Sequence, residues 1–172
     1  MDAMYPPPRP RARTTAPRPA LAVACTVLLL LLGTSSAQSW FGVRSGYPLG
    51  VTLHYGMQNV LSNGFDLRVS GRVTAGGGSA RFGVGVDAMT TVASEGPFSV
   101  YLGAGPAIEF GSGGAWLDVH ALFGGEFRFS DLGLAPLGLF LEATLGGSFG
   151  LGNGAPAQVP TFGAALGVNY HF

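Results

Sequence analysis

The chain has 172 residues, which is enough for one domain with a hydrophobic core. Glycine accounts for 29 residues, and only 10% of the residues are charged, against roughly 25% in a typical soluble domain. After residue 37 the sequence has five arginines, no lysine and eight acids, a net charge of −3. Nucleic-acid binding requires clustered basic residues, so this balance excludes it as a function.

Residues 1–37 are predicted to form a cleavable signal peptide, which leaves 38–172 as the mature domain. A proline- and arginine-rich start is followed by the apolar run Leu21–Leu32 and by small residues at Ser35 and Ala37. A transmembrane anchor is the alternative, but about a dozen residues fall short of the roughly 20 that cross a bilayer. The only cysteine, Cys25, precedes most of the apolar run, which argues against a lipoprotein cleavage site.

Eight segments with alternating apolar and polar residues follow, separated by glycine-rich breaks. Such short breaks between strands favour antiparallel neighbours in up-and-down order. No break contains a helical pattern. The predicted strands are 39–46, 49–57, 65–75, 80–92, 98–110, 115–129, 137–150 and 160–172.

The sixth segment, residues 115–129, shows the alternation best. Phe123 and Phe127 fall on one face, and Asp118, Glu126 and Arg128 fall on the other. A strand separates these two sets, whereas the 3.6-residue period of a helix would mix them. Eleven of the 13 charges after residue 37 fall on such polar faces. The other two charges, Glu95 and Asp131, lie in predicted turns. Three large apolar residues are exceptions of the opposite kind, because they fall on the polar faces: Trp116, Leu122 and Phe140.

Alternation fits two kinds of barrel. A soluble lipocalin-like barrel has its apolar face inside, whereas a membrane barrel turns that face to lipid and the polar face to the lumen. The absence of lysine, the small residues between the charges and strands of about 9 to 14 residues favour the membrane barrel. The predicted fold is therefore an all-β, eight-stranded antiparallel up-and-down transmembrane β-barrel.

The C-terminal sequence LGVNYHF carries a family resemblance. Gly167, Tyr170 and Phe172 resemble the signature by which bacterial outer-membrane barrels are recognised for insertion, although Ala165 departs from it. Together with the alternating strand pattern of residues 38–172, this signature makes the chain resemble the small OmpA/OmpX-type or OmpW-type eight-stranded barrels. The resemblance implies export to the outer membrane of a diderm bacterium, contact with outer-membrane lipid and insertion by the barrel-assembly machinery.

Charges inside so narrow a barrel have to be paired. Hairpin spacing predicts that Arg68 lies opposite Asp87, Arg81 opposite Glu109, Asp118 opposite Ala107 and His120 opposite Gly105. It also predicts Phe129 opposite Leu137, which gives a diagonal cluster of Glu126, Arg128 and Glu142. The full predicted lumen network is Arg44, Asp66, Arg68, Arg72, Arg81, Asp87, Glu109, Asp118, His120, Glu126, Arg128 and Glu142.

Three functions are compatible with this network. The first is a structural barrel with a side-chain-filled lumen, monomeric, without enzymatic activity, cofactor or metal. The second is a small-solute channel, a lipid- or ligand-binding barrel, or an adhesin, although the outward turns are short for adhesion. The third is a hydrolase using Asp118 and His120, with Ser148 nearby, but no nucleophile turn marks the serine. A zinc site from His54, His120 and His171 is weaker, because these fall at different predicted depths.

Overall fold

The computed structural model describes residues 38–61, 64–76, 79–129, 133–134, 136–152 and 156–172. The predicted signal peptide lies outside these ranges. The described chain forms eight strands, and no helix within it is long and apolar enough to cross a membrane. The strands are β1 (Ser39–Tyr47), β2 (Gly50–Leu61), β3 (Phe65–Gly76), β4 (Ser79–Glu95), β5 (Phe98–Gly111), β6 (Gly114–Arg128), β7 (Leu137–Gly150) and β8 (Gln158–His171).

The strands close into one barrel. Each pairs antiparallel with the next, and β1 pairs antiparallel with β8. Two further backbone hydrogen bonds extend the closing β1–β8 pairing. The Ser39 N–H donates to the Phe172 carbonyl (3.0 Å), and the Phe172 N–H donates to the Ser39 carbonyl (2.8 Å). The predicted eight-stranded, antiparallel, up-and-down barrel is therefore confirmed.

The polar face points inward. Phe123 is 56% exposed on the outer surface and Phe127 is 38% exposed, whereas Arg68 is 2% exposed and Glu126 is 6% exposed. Leu139 and most other large aliphatic residues of the predicted apolar faces are likewise exposed outside. The lipocalin-like alternative, with apolar side chains inside, is therefore wrong.

Three of the four predicted hairpin registers are confirmed. Arg68 pairs with Asp87, Asp118 with Ala107, and the β6–β7 register follows prediction. The β4–β5 register is wrong by two residues, because β4 continues to Glu95, which was predicted to lie in a turn, and shifts register between Thr91 and Ala93. Arg81 consequently lies opposite Gly111, and Glu109 lies opposite Gly83.

Glycine inside the barrel makes room for large neighbours. A Cβ atom on Gly124 would lie 2.5 Å from the Tyr101 ring, far inside van der Waals contact. A Cβ atom on Gly167 would collide with both the Phe140 ring and the Val43 carbonyl. An eight-stranded lumen is only wide enough for packed side chains, so each large residue there requires a small one opposite it.

The three apolar exceptions to the sequence pattern all lie in the lumen. Trp116 is 7% exposed, Leu122 3% and Phe140 1%. Leu122 packs with Met89 and Tyr101 in an apolar cluster. The lumen is thus filled by apolar groups as well as charged ones, and these residues are part of its packing.

Candidate functional site

Five side chains form a charged layer across the middle of the lumen, which we call the central layer: Arg44, Arg68, Asp87, His120 and Glu142. Glu142 pairs with both arginines and accepts a hydrogen bond from the Tyr101 hydroxyl (2.8 Å). Arg68 Nε donates to Asp87 Oδ2 at 3.0 Å, and His120 Nε2 lies 3.0 Å from Asp87 Oδ1. Each carboxylate thus lies against at least two polar or basic side chains, which is what a buried charge requires.

A second group of charges lies nearer the end opposite the termini; we call it the mouth cluster. Its members are Arg72, Arg81, Glu109 and Asp118. Arg72 pairs with Asp118, and its Nε lies 2.6 Å from Glu109 Oε1. Arg81 lies 3.5 Å from Glu109 Oε2, and its guanidinium carbon lies 4.1 Å from the centre of the Trp116 ring. Arg81 and Glu109 therefore interact, but diagonally rather than directly across the predicted register.

The arginines and carboxylates of the two groups balance in number. Arg44, Arg68, Arg72 and Arg81 carry four formal positive charges, and Asp87, Glu109, Asp118 and Glu142 carry four formal negative ones. Most of the pairs join strands that are not neighbours, as when Arg44 on β1 meets Glu142 on β7. The Arg68–Glu142 pair joins β3 to β7, four strands apart around the barrel, and therefore connects opposite walls.

The predicted cluster of Glu126, Arg128 and Glu142 is not formed. Glu142 belongs to the central layer, and Glu126 Oε1 instead lies 2.6 Å from His171 Nε2 on β8. Arg128 has no ion pair within the described residues. Asp66 accepts a hydrogen bond from the Asn59 backbone N–H (3.0 Å), close to a register shift in β2. Asp66 and Arg128 therefore lie apart from the central layer and the mouth cluster, at the end near the termini.

The lumen contains two separate cavities. One, of about 340 Å³, opens at the end opposite the termini and is lined by Arg44, Arg72, Asp118, His120 and Ser148, among others; we call it the mouth cavity. The other, about 40 Å³, lies near the termini.

Asp87, Phe140 and Glu142 line neither cavity, and each is 1% exposed. These side chains form a partition between the two cavities. Glu142 contacts Arg44, which lines the mouth cavity, and Arg68, which lines the smaller one, so the partition lies between them.

The candidate hydrolase residues all reach the mouth cavity, but they are not linked as a triad. Asp118 lies opposite Ser148 across the β6–β7 ladder. Asp118 is held by Arg72, and His120 Nε2 contacts Asp87. The Ser148 Oγ has no hydrogen-bond partner among the described residues.

The three histidines are likewise apart. His54 Nε2 lies 2.7 Å from Asn169 Oδ1, and His120 and His171 contact different carboxylates. No group of three or more metal-binding side chains comes together in the part of the chain that the structure describes. The predicted network does not include Tyr101, Asn169 and His171, whose side chains also bond within the lumen. The signal for them is the period of two, which puts each of them on the polar side of its strand.

The residues of the C-terminal signature lie on both faces of β8. Gly167 is buried in the lumen, whereas Tyr170 and Phe172 are exposed on the outer surface near the termini. The Tyr170 and Phe172 rings lie side by side, with centroids 6.3 Å apart and planes tilted by 33°. Two adjacent aromatic rings are thus accessible at the closing seam of the barrel.

Comparison with solved structures supports the fold. The chain is similar to the N-terminal β-barrel domain of OprF from Pseudomonas aeruginosa, with a TM-score of 0.51 and 15% identity over 79% of this chain and 96% of that one. At this identity the similarity shows the fold alone. The resemblance to small eight-stranded outer-membrane barrels is thereby confirmed at the level of architecture.

Two weaker similarities have TM-scores below 0.5. Neisserial surface protein A gives 0.45, with 15% identity over 79% of this chain and 94% of that chain. The outer membrane enzyme PagL gives 0.46, with 12% identity over 78% of this chain and 99% of that chain. No family model matches the sequence, and no curated protein does.

Proposed function

We propose that the chain is an outer-membrane β-barrel protein with a structural role, whose lumen is closed by its own side chains. The partition formed by Asp87, Phe140 and Glu142 is the observation that carries the proposal, because an open channel requires a continuous aqueous path. The exposed aliphatic and aromatic exterior supports residence in lipid, since a large apolar surface is unfavourable in water. The proposed protein is monomeric and has no enzymatic activity and no nucleic-acid partner.

The proposed biogenesis follows from the sequence. Residues 1–37 would direct export, and the barrel-assembly machinery would recognise the aromatic C-terminus, leaving the mature domain in contact with outer-membrane lipid. Because the termini of such a barrel lie on the periplasmic side, the mouth cavity would open to the cell exterior.

Fractionation of a diderm bacterium producing the full chain tests the location. We expect recovery with the outer membrane and a change in gel mobility on heating, as a closed barrel unfolds. Phe172→Ala should lower this recovery, whereas Val168→Ala, another exposed position on β8, should not. Recovery in the periplasm as a soluble protein would contradict the proposal.

Planar-bilayer recording tests the closed lumen. The purified, heat-modifiable barrel is expected to give no stepwise ion conductance, because the partition blocks the lumen. Regular conductance steps from the wild-type barrel would favour the channel alternative instead.

A further inference from the structure

The mouth cavity is large enough for a small ligand. Its volume of about 340 Å³ falls at the lower end of the range of about 300–1,000 Å³ that is typical of small-molecule sites. The structural role proposed above does not use this cavity, since the partition lies deeper in the barrel.

The charged groups that a ligand can reach in this cavity are mainly cationic. Three arginines are among its described lining residues, Arg44, Arg72 and Arg81, but only two carboxylates, Glu109 and Asp118. The side chains of Arg81 and Arg72 are 32% and 23% exposed, against 17% for Asp118 and 8% for Glu109. The arginines and carboxylates of the lining thus leave one formal positive charge, and two of the arginines are more accessible than either carboxylate.

The described acidic residues outside the central layer and the mouth cluster lie toward the other end of the barrel. Asp66 and Glu126 line the small cavity, and Glu95 ends β4 on the same side. No charged residue occurs in the sequence of the turns at the mouth, which are 48–49, 77–78, 112–113 and 151–157. The mouth is therefore the more positive end of the described barrel, and a surplus of positive charge in a cleft raises the local concentration of anions.

Arg81 is held so that its hydrogen-bond donors stay available. Its Nη1 lies 3.5 Å from Glu109 Oε2, a long ion pair, and its guanidinium carbon lies 4.1 Å from the centre of the Trp116 ring. A cation–π contact uses the face of the guanidinium group, whereas the five N–H donors lie in its plane. Arg81 can therefore donate to a ligand in the cavity without losing a short ion pair.

Arg72 lies beside Arg81, because both arginines pair with the same carboxylate. Arg72 Nε is 2.6 Å from Glu109 Oε1, and Arg81 approaches the other oxygen of that group. Asp118 also pairs with Arg72, so two carboxylates orient its guanidinium group. Two neighbouring guanidinium groups suit an anion with several acceptor oxygens, and a phosphate monoester has three such oxygens and a charge of about −1.5 to −2 at pH 7.

We propose that the mouth cavity binds a small soluble phosphate monoester, whose phosphoryl group is held by Arg81 and Arg72. The phosphoryl oxygens accept hydrogen bonds from the in-plane N–H groups of Arg81 and from the exposed part of Arg72. The organic part of the ligand occupies the rest of the cavity, where the hydroxyl groups of the lining residues Thr52, Thr144 and Thr161 can bond to it.

The position of the cavity selects a soluble ligand over a lipid, because the cavity lies inside the barrel and acyl chains would contact the outer face. The proposal goes beyond the structural role, and it requires the folded barrel but not its residence in a membrane.

The chain carries its own reporter for this binding. Trp40 and Trp116 are its two tryptophans, and Trp40 lines the small cavity at the other end. In the Trp40→Phe variant all tryptophan emission comes from Trp116, whose ring lies under the guanidinium group of Arg81. A ligand that binds Arg81 should therefore change this emission.

The experiment titrates the folded mature barrel, in an uncharged detergent, with glycerol phosphate. We expect a saturable change in Trp116 emission, and a saturable heat of binding in calorimetry of the wild-type barrel. Glycerol, which lacks the phosphoryl group, and sodium chloride at equal ionic strength should give neither. Absence of saturable binding, or equal binding of glycerol, would overturn the proposal.

Phosphatidic acid in mixed micelles distinguishes a lipid source from a soluble one, because its headgroup is the same glycerol phosphate. A response to this lipid without a response to free glycerol phosphate would also overturn the proposal. We expect the free ester to bind in the absence of the lipid.

Matched variants locate the site. Arg81→Gln should weaken the binding of glycerol phosphate by about tenfold or more, the effect of losing a hydrogen bond between charged groups. Arg81→Lys keeps the charge but not the fork of donors, so it should weaken binding less than Arg81→Gln does. Arg128→Gln makes the same change at the small cavity and should leave binding unaltered.

Calorimetry compares these variants, because replacing Arg81 changes the surroundings of Trp116 directly. Unchanged binding in Arg81→Gln, or an equal loss in Arg128→Gln, would refute the assignment. Heat-modifiable mobility of each variant shows that the barrel is folded, so a loss of binding is distinguished from a loss of the barrel itself.

Discussion

The two halves of the lumen are built on the same eight strands, yet one is nearly full and the other is open. The half near the termini retains a cavity of about 40 Å³, because Trp40, Met89, Tyr101, Leu122 and other large side chains occupy it. The half near the mouth retains about 340 Å³, where charged residues pair along the walls and Thr52, Thr74, Thr144 and Thr161 are among the lining residues. Strand number sets the diameter of a barrel, but the volume of the inward side chains decides where it is hollow.

The central layer lies where the two halves meet, and removing its main cation should have the largest effect. Arg68→Ala leaves Asp87 and Glu142 buried without their principal partner. We expect a loss of about 3–5 kcal/mol in the free energy of unfolding, measured by urea titration in lipid vesicles. A loss below about 1 kcal/mol would show that the layer does not hold the barrel together.

Emptying the filled half is the next largest perturbation. Leu122→Ala removes most of a side chain that packs with Met89 and Tyr101, and should cost about 2–5 kcal/mol by leaving a cavity. Leu145→Ala is the control, because Leu145 is 53% exposed on the outer surface and its removal creates no internal cavity. Equal losses in the two variants would mean that the terminal half is not tightly packed.

Adding a methyl group to the filled half near the termini tests the same packing in the opposite way. Gly124→Ala places a methyl group against the Tyr101 ring and should cost about 1–3 kcal/mol. In Gly71→Ala nothing lies within 4 Å of the new Cβ, so stability should be unchanged or slightly higher. The same urea titration compares the two variants. A harmless Gly124→Ala would show that Tyr101 can move aside.

The smallest effect is expected in the open half. Arg81 has a side chain that is 32% exposed and makes only a long pair with Glu109, so Arg81→Ala should cost about 1 kcal/mol or less. The emission of Trp116 should nevertheless change, because its cationic neighbour is lost. A loss comparable to that of Arg68→Ala would mean that the two halves depend on their charges equally.

The sequence predicted the strands and their inward faces because a period of two is a local property of each strand. It also predicted the register of hairpins whose paired strands have no register shift, such as Arg68 opposite Asp87. It failed for β4–β5, because β4 runs three residues further than predicted, to Glu95, before it pairs with Phe98. A one-residue irregularity between Thr91 and Ala93 then reduces the error to two residues and leaves no mark in the alternation.

Partners across the lumen could not be predicted in the same way. The Arg44–Glu142 and Arg72–Asp118 pairs join strands that are not neighbours, so hairpin counting gives no information about them. Their geometry depends on how the closed barrel staggers its strands, which is a property of the whole sheet. The sequence also could not predict that the Ser148 Oγ would lack a hydrogen-bond partner among the described residues, because Ser148 is one small polar residue among many.

Glu142 joins Arg44 on β1 and Arg68 on β3 from its place on β7. A chain halted after its first six strands would therefore present two guanidinium groups without their shared carboxylate. In hydrocarbon each such group costs about 2.5–3.5 kcal/mol even by the most lenient scale. We therefore expect half-assembled forms to be disfavoured, so that entry into a bilayer is coupled to arrival of the final hairpin.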